Sequence, residues 1–337
     1  MKKSIGVLIL FINLLFVGIY ATVNKAEVQA DEKNISMQEL ASNISTQRMM
    51  KVIEKIASAP HPVNSEEIQN VKSYLIEYFR EIGYNDIECQ KFEYNDQNNE
   101  NAIRHSSQAE VFLESTSQNA RIDGFGENII ITKSSVDDTE KNLIISAHYD
   151  SSAESSGAND NGSGVSVVLE LAEILKDVDL SCNIKFIMFS GEEKYMLGSR
   201  WFVGQLSESE RNDIIGVINI DSIAEKSDLG YLAMISGNKR LDNTEYSEDD
   251  IKKLAELNKN RISDLFLSNS RFSLTMAMNS DHYPFSLLDI PAVSIVQDWQ
   301  EGLAVNDAAD VIENIDGERL EEAAEQVFEV VFKLGSA

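Results

Sequence analysis

Three short, nearly unbroken apolar runs limit the possible folds of this chain more than any other feature. They lie at 142–147, 184–189 and 214–220 and are rich in Ile, Val and Phe. Such runs suit strands buried on both faces, the usual state of parallel sheet in α/β proteins. Between the first two, 165–175 places its apolar residues at helical spacing, with Ser163 near the start. Segments 251–258 and 320–334 read as further helices. Strands alternating with helices imply an α/β fold, a mostly parallel twisted central sheet with helices on both faces. In such sheets the ligand site lies off the carboxyl ends of the strands.

Upstream of the sheet the pattern is helical. Met37, Leu40, Ile44, Met49, Val52, Ile53 and Ile56 predict one helix over 36–58. A second is predicted over 65–82, with Ser65 as N-cap, an apolar stripe from Ile68 to Ile82, and Gly83 ending it. The polar, Asn-rich stretch 95–108 reads as a surface loop. With no internal repeat and no Pro- or Gly-rich linker, 36–337 is expected to form one domain. The first thirty residues stand apart. Lys2 and Lys3 precede an apolar run over 5–20, and Val28-Gln29-Ala30 follows the small-residue rule for signal peptidase. Segment 1–30 is therefore expected to be a signal peptide or an N-terminal membrane anchor. The rest would be secreted, or tethered to the outer face of the membrane.

A formal net charge of −27 excludes a nucleic-acid binder, which needs clustered Lys and Arg, and disfavours docking on anionic lipid. Contact with a membrane is expected only through the N-terminal segment. Cys89 and Cys182 are too few for a disulfide framework, and their spacing leaves pairing and free thiols equally open.

The ends of the three strands carry the chemistry. The first runs into His148-Tyr149-Asp150, and the loop after it is Gly157-Ala158-Asn159-Asp160-Asn161-Gly162. The second ends in Ser190-Gly191-Glu192-Glu193, the third in Asn219-Ile220-Asp221. His148 and four acids, Asp160, Glu192, Glu193 and Asp221, thus converge on one rim. Such a set cannot share a cleft without cations to neutralise it. Mixed imidazole and carboxylate ligands suit zinc and, less selectively, cobalt or manganese. The four histidines, His61, His105, His148 and His282, form no H-E-x-x-H, and G-x-S-x-G and G-x-G-x-x-G are absent.

These segments, taken in order, resemble the motifs of the zinc aminopeptidases of metallopeptidase family twenty-eight. His148-Tyr149-Asp150-Ser151 and 157–164 are similar to the first two. Gly191-Glu192-Glu193 with Leu197-Gly198-Ser199 is similar to the third, and Asn219-Ile220-Asp221 to the fourth. Ser280-Asp281-His282-Tyr283-Pro284-Phe285, with Ile290-Pro291-Ala292, is similar to the fifth. The resemblance runs from about residue 40 to the C-terminus and implies a zinc-exopeptidase-like domain holding two Zn2+ ions. It implies that His148 and Asp221 bind one zinc, that Glu193 binds the other, and that Asp160 bridges them. It further implies that Asp150 orients His148 and that Glu192 is the general base. Asp281 and His282 would stand behind the ligands or beside the substrate.

One position departs from the pattern. The family has a tyrosine-histidine-threonine segment four residues ahead of an aspartate, and reading back from Asp310 and 313–316 puts Asn306 where that histidine would supply the second zinc. The implied reaction is hydrolysis of a peptide bond next to the free N-terminus of a peptide or protein, where an acidic rim suits the α-ammonium group. Rival readings are a glutaminyl-cyclase-like acyltransferase with a single zinc, a non-catalytic binding module, and a carboxypeptidase using Arg200 to hold a carboxylate.

Overall fold

The computed structural model describes residues 36–104, 108–113, 121–237, 247–299 and 305–336. Segment 1–30 and His105 lie outside the described residues. The chain divides into two units, Met1–Asn43 and Ile44–Ala337. In the first, α1 (Met37–Ala41) is capped by Ser36. The second begins its helices with α2 (Thr46–Ile56) and α3 (Glu66–Glu81).

The single helix expected over 36–58 is therefore two. Ser45 interrupts it by taking an extended backbone and accepting from Arg48 N, which starts α2 afresh. Helix α3 matches its prediction closely. Ser65 accepts from Ile68 N, and Glu66 and Glu67 in the first turn complement the helix dipole. Ile68, Val71, Leu75 and Phe79 form the buried stripe, and Gly83 at φ +106° leads the chain away.

After β1 (Ile87–Tyr94) come two short helices, α4 (Asp96–Arg104), where a loop was expected, and α5 (Ala109–Leu113). Helix α4 has almost no apolar stripe, because only Asn99 and Ala102 are buried. Asn95 Oδ1 accepts from Asn98 N at 2.9 Å to start it, and Asn99 ties it to the rest of the fold. Then follow β2 (Gly124–Lys133), β3 (Asn142–His148), α6 (Gly164–Leu175) and β4 (Asn183–Phe189). Next are α7 (Leu197–Gln205), α8 (Glu208–Asp213), β5 (Ile214–Ile220) and β6 (Tyr231–Ile235). The chain closes with α9 (Glu248–Asn258), α10 (Arg261–Phe266), β7 (Phe272–Met276), α11 (His282–Ser286), β8 (Ala292–Gln297) and α12 (Gly317–Gly335).

The strands form one eight-stranded sheet in the order β1-β2-β4-β3-β5-β8-β6-β7. Its centre, β4-β3-β5-β8, is parallel. Antiparallel pairs join β1 to β2, β2 to β4, and β8 to β6. Ile144, Ile187, Phe189 and Val217 pack on one face with Phe202 and Val203 of α7 and Phe285 of α11. Ile145, Phe186 and Ile218, one residue out of step, point to the other face. Helix α6 lies on β3, β4 and β5 and is itself covered by α2 and α12. Its Val165, Val167, Val168, Leu169, Leu171 and Leu175 are all buried, each contributing about 1.5–3 kcal/mol. Gly164 opens that helix against the end of β5, where a Cβ would fall 2.3 Å from the Ile220 carbonyl oxygen. Cys89 is exposed, Cys182 is buried, and both thiols are free.

Candidate metal centre

Three of the residues read from the strand ends meet where β3 and β5 finish. Among the described residues, His148, Asp160 and Asp221 form a group whose ligand atoms lie within 4.8 Å of one another. His148 is fully buried. Its Nε2 lies 3.2 Å from Asp160 Oδ1 and 3.5 Å from Asp221 Oδ1. These contacts are misaligned for hydrogen bonding, so Nε2 has no hydrogen-bond partner among the described residues. A buried nitrogen left bare between two carboxylates is the arrangement expected of a ligand aimed at a cation. The residues present therefore fit zinc.

Each ligand is fixed from behind. His148 Nδ1 faces the backbone oxygen of Asp150 at 3.0 Å, which leaves Nε2 to point inward. The Asp150 carboxylate, 3.7 Å from Nδ1, is too far to share that task. It is engaged instead by Gly191 N at 2.8 Å, Glu192 N at 3.1 Å and Glu193 N at 3.3 Å, so it holds the loop carrying both glutamates. Asp221 accepts from Ser280 Oγ at 2.6 Å and from Ser222 Oγ at 3.1 Å. Asp160 sits in a turn whose Asp160 and Asn161 leave helical φ/ψ. Asn161 pins that turn to β5, its Nδ2 donating to the Ile220 carbonyl at 2.8 Å. The Asp310 carboxylate accepts from Asn159 N at 2.6 Å, Asp160 N at 3.2 Å and Ser155 Oγ at 3.0 Å. Sequence reasoning used Asp310 only as a landmark, because an isolated acid gives no sign that it supports a turn 150 residues away.

Burial and close carboxylates shift the ionisation of every member of this group. Burial works against a charged imidazole, but the surrounding Asp150, Asp160 and Asp221 carboxylates outweigh it and push His148 well above its ordinary range. Burial raises Asp160, and more strongly Glu192, towards their neutral forms. Burial and the nearby Asp160 carboxylate lift Glu193 to about 9. Asp221 stays low despite burial, because His148, Ser280 and Ser222 all favour its charge. Burial also pushes Asp310 up to about 6.

Glu192 and Glu193 follow β4, each half-buried. With its amide nitrogen turned towards Glu193, Asn306 Nδ2 lies 2.7 Å from one carboxylate oxygen and 2.8 Å from the other. The Asn306 amide and Glu193 therefore share one corner. Arg200 lies elsewhere. It is wholly buried and donates to Phe112 O at 2.6 Å, Asn99 Oδ1 at 2.5 Å and Tyr195 O at 3.2 Å. Asn99 Nδ2 donates in turn to Lys194 O at 3.1 Å, so α4 grips the chain just beyond Glu193. Asp281 accepts a short hydrogen bond from Ser199 Oγ, and burial raises it to about 7. His282 Nε2 faces Ser236 Oγ at 2.9 Å, and burial lowers it to about 4, so it is a neutral pin between two segments.

The model of the family described as Peptidase family M28 matches residues 128–331, a span containing every residue of this centre. The chain belongs to peptidase family M28. Among its curated relatives, Aminopeptidase YwaD of Bacillus subtilis (strain 168) is 33% identical over 198 residues, 57% of this chain and 40% of the relative. Leupeptin-inactivating enzyme 1 of Streptomyces exfoliatus is 35% identical over 83 residues, 24% of this chain and 19% of the relative. The matched regions thus span less than half of these curated relatives. The fold also recurs in solved structures. An aminopeptidase from Aneurinibacillus sp. strain AM-1 has TM-score 0.70 at 18% identity, covering 89% of this chain and 96% of that one. A glutaminyl cyclase from Porphyromonas gingivalis has TM-score 0.65 at 18% identity, covering 87% and 99%. These two likenesses establish the fold, which carries more than one chemistry.

Proposed function

We propose that this chain is a zinc aminopeptidase that releases residues from the N-termini of peptides or proteins. The observation that carries the reading is the bare, buried Nε2 of His148 inside the group formed with Asp160 and Asp221, beside Glu192. His148, Asp160, Asp221 and Glu193 would hold zinc. Zinc held there supplies Lewis-acid polarisation of a carbonyl and makes water a nucleophile near neutral pH. Glu192, its backbone N fixed on Asp150, takes the proton that the attacking water loses onto a carboxylate oxygen. It then returns that proton to the nitrogen of the departing amine. The surrounding carboxylates favour the α-ammonium group of a free N-terminus. A carboxypeptidase would need a cation for the substrate carboxylate, and Arg200 is wholly buried, its Nε and Nη1 turned to Phe112, Asn99 and Tyr195. Segment 1–30 is proposed as the leader or tether that places this activity outside the cell.

The test is hydrolysis of a peptide with a free N-terminus against its N-acetylated form, by wild type and Glu192→Gln. Wild type should release amino acids from the free peptide alone. Glu192→Gln should keep its zinc and lose at least about a hundredfold in kcat, the scale of a lost general base. Equal cleavage of the acetylated peptide, or an unimpaired variant, would refute the reading. Formation of pyroglutamate from an N-terminal glutamine without release of amino acids would replace it with the cyclase.

A further inference from the structure

We infer that the two cation positions of this centre are chemically unlike. The one at His148, Asp160 and Asp221 carries an imidazole, whereas the one facing Glu193 is closed by the Asn306 amide and, among the described residues, offers oxygen donors. The inference rests on the metal-centre reading above and concerns what this chain's own residues do to it.

The Asn306 amide has two settings. In one, its nitrogen faces Glu193, 2.7 and 2.8 Å from the carboxylate oxygens, and holds that carboxylate with no cation present. In the other, Oδ1 takes the same place, and an amide oxygen then stands against two carboxylate oxygens. Three acceptors face to face are stable only with a cation or a proton among them. A cation arriving at Glu193 must therefore displace charge-assisted hydrogen bonding and turn the amide over. At His148 no such amide stands in the way, and Nε2 has no hydrogen-bond partner among the described residues to be displaced. The position at Glu193 should fill second. Its donors also differ in kind. Carboxylate and amide oxygens suit manganese, magnesium and calcium, whereas imidazole favours zinc. The second position is thus one where manganese competes with zinc on better terms than at the first. Asn306 sits at φ +60°, a left-handed conformation in which Asn, Asp and His are enriched and Gly is unstrained. The backbone therefore tolerates the substitutions that test it.

The full chain as purified is dialysed against zinc buffered over a range of free concentrations, and zinc per chain is counted by elemental analysis. Manganese is run in parallel. Wild type should fill in two steps at least about tenfold apart in free zinc. Asn306→His should bring the second step down at least about tenfold in zinc, leave the first in place, and give manganese no such gain. Asn306→Gly, which keeps the backbone and removes the amide, should move the second step up in both metals. A single step to two zinc ions in wild type, unmoved in both variants, overturns the inference and leaves the proposed function standing. One zinc per chain at every concentration in all three proteins also overturns it. No bound zinc in any of them removes the proposed function together with the inference.

Discussion

The two sides of the metal centre are built by different means. On the His148 side the sheet itself supplies the geometry. His148 ends β3, Asp221 follows β5, and the Asp160 turn is bolted to β5 through Asn161. All three ligands are at most 8% exposed. On the Glu193 side the residues sit on connections. Glu192 and Glu193 leave β4 in a loop where Tyr195 and Met196 both take positive φ, held by Asp150 just beyond β3 and by α4 from the other side. One side is fixed by strand register. The other needs a helix inserted between β1 and β2 to fix it. Ion retention should therefore depend on the first side and turnover on the second.

Three substitutions separate the two sides. Asp160→Ala should have the largest effect, since it removes a carboxylate 3.2 Å from His148 Nε2. Bound zinc, counted by elemental analysis, should fall to background and activity with it. Unchanged zinc in the purified variant would show that the sheet-built side does not hold the ion. Asp310→Ala comes next. It leaves the Asn159 and Asp160 amides without their acceptor and should weaken zinc about tenfold to a hundredfold in a chelator competition, as loss of a supporting residue usually does. An unaltered zinc affinity would show that Asn161 alone holds the turn. Arg200→Met should have the smallest effect on chemistry and the clearest sign. Zinc on the His148 side should be retained while kcat falls about tenfold, less than the roughly hundredfold cost of a 1 Å misplacement. KM should change little. A loss of zinc equal to the loss of kcat would mean that the two sides are not separable.

The part of the site lying on the sheet was legible in the sequence, and the reason is physical. Strands buried on both faces must be apolar throughout, so 142–147, 184–189 and 214–220 stand out, and whatever follows them must lie on one rim. The edge strands were not legible. Strand β1 buries only Phe92 and Tyr94 and reads as ordinary surface. Helix α4 was missed because it is stabilised by Asn99 bonding to Lys194 and Arg200, which no apolar period reveals. Asp150 was expected to orient His148. The residue does orient the ring, but through its carbonyl, while its carboxylate turns to the neighbouring loop. Side-chain and main-chain roles of one residue cannot be told apart from its identity. Asn306, singled out as a departure from the family pattern, does lie against Glu193.

Asp150 is where the two constructions meet. Its main-chain oxygen takes the His148 ring, and its carboxylate takes three successive amides of the loop that carries Glu192 and Glu193. One residue thus serves as a common datum for the His148 ring and for the proposed base. If the sheet breathes or shears between β3 and β4, both groups are carried by the same point, and the separation between them changes less than either position does. Tolerance in this site therefore accumulates towards the periphery, among side chains that meet the substrate, rather than across the reacting centre.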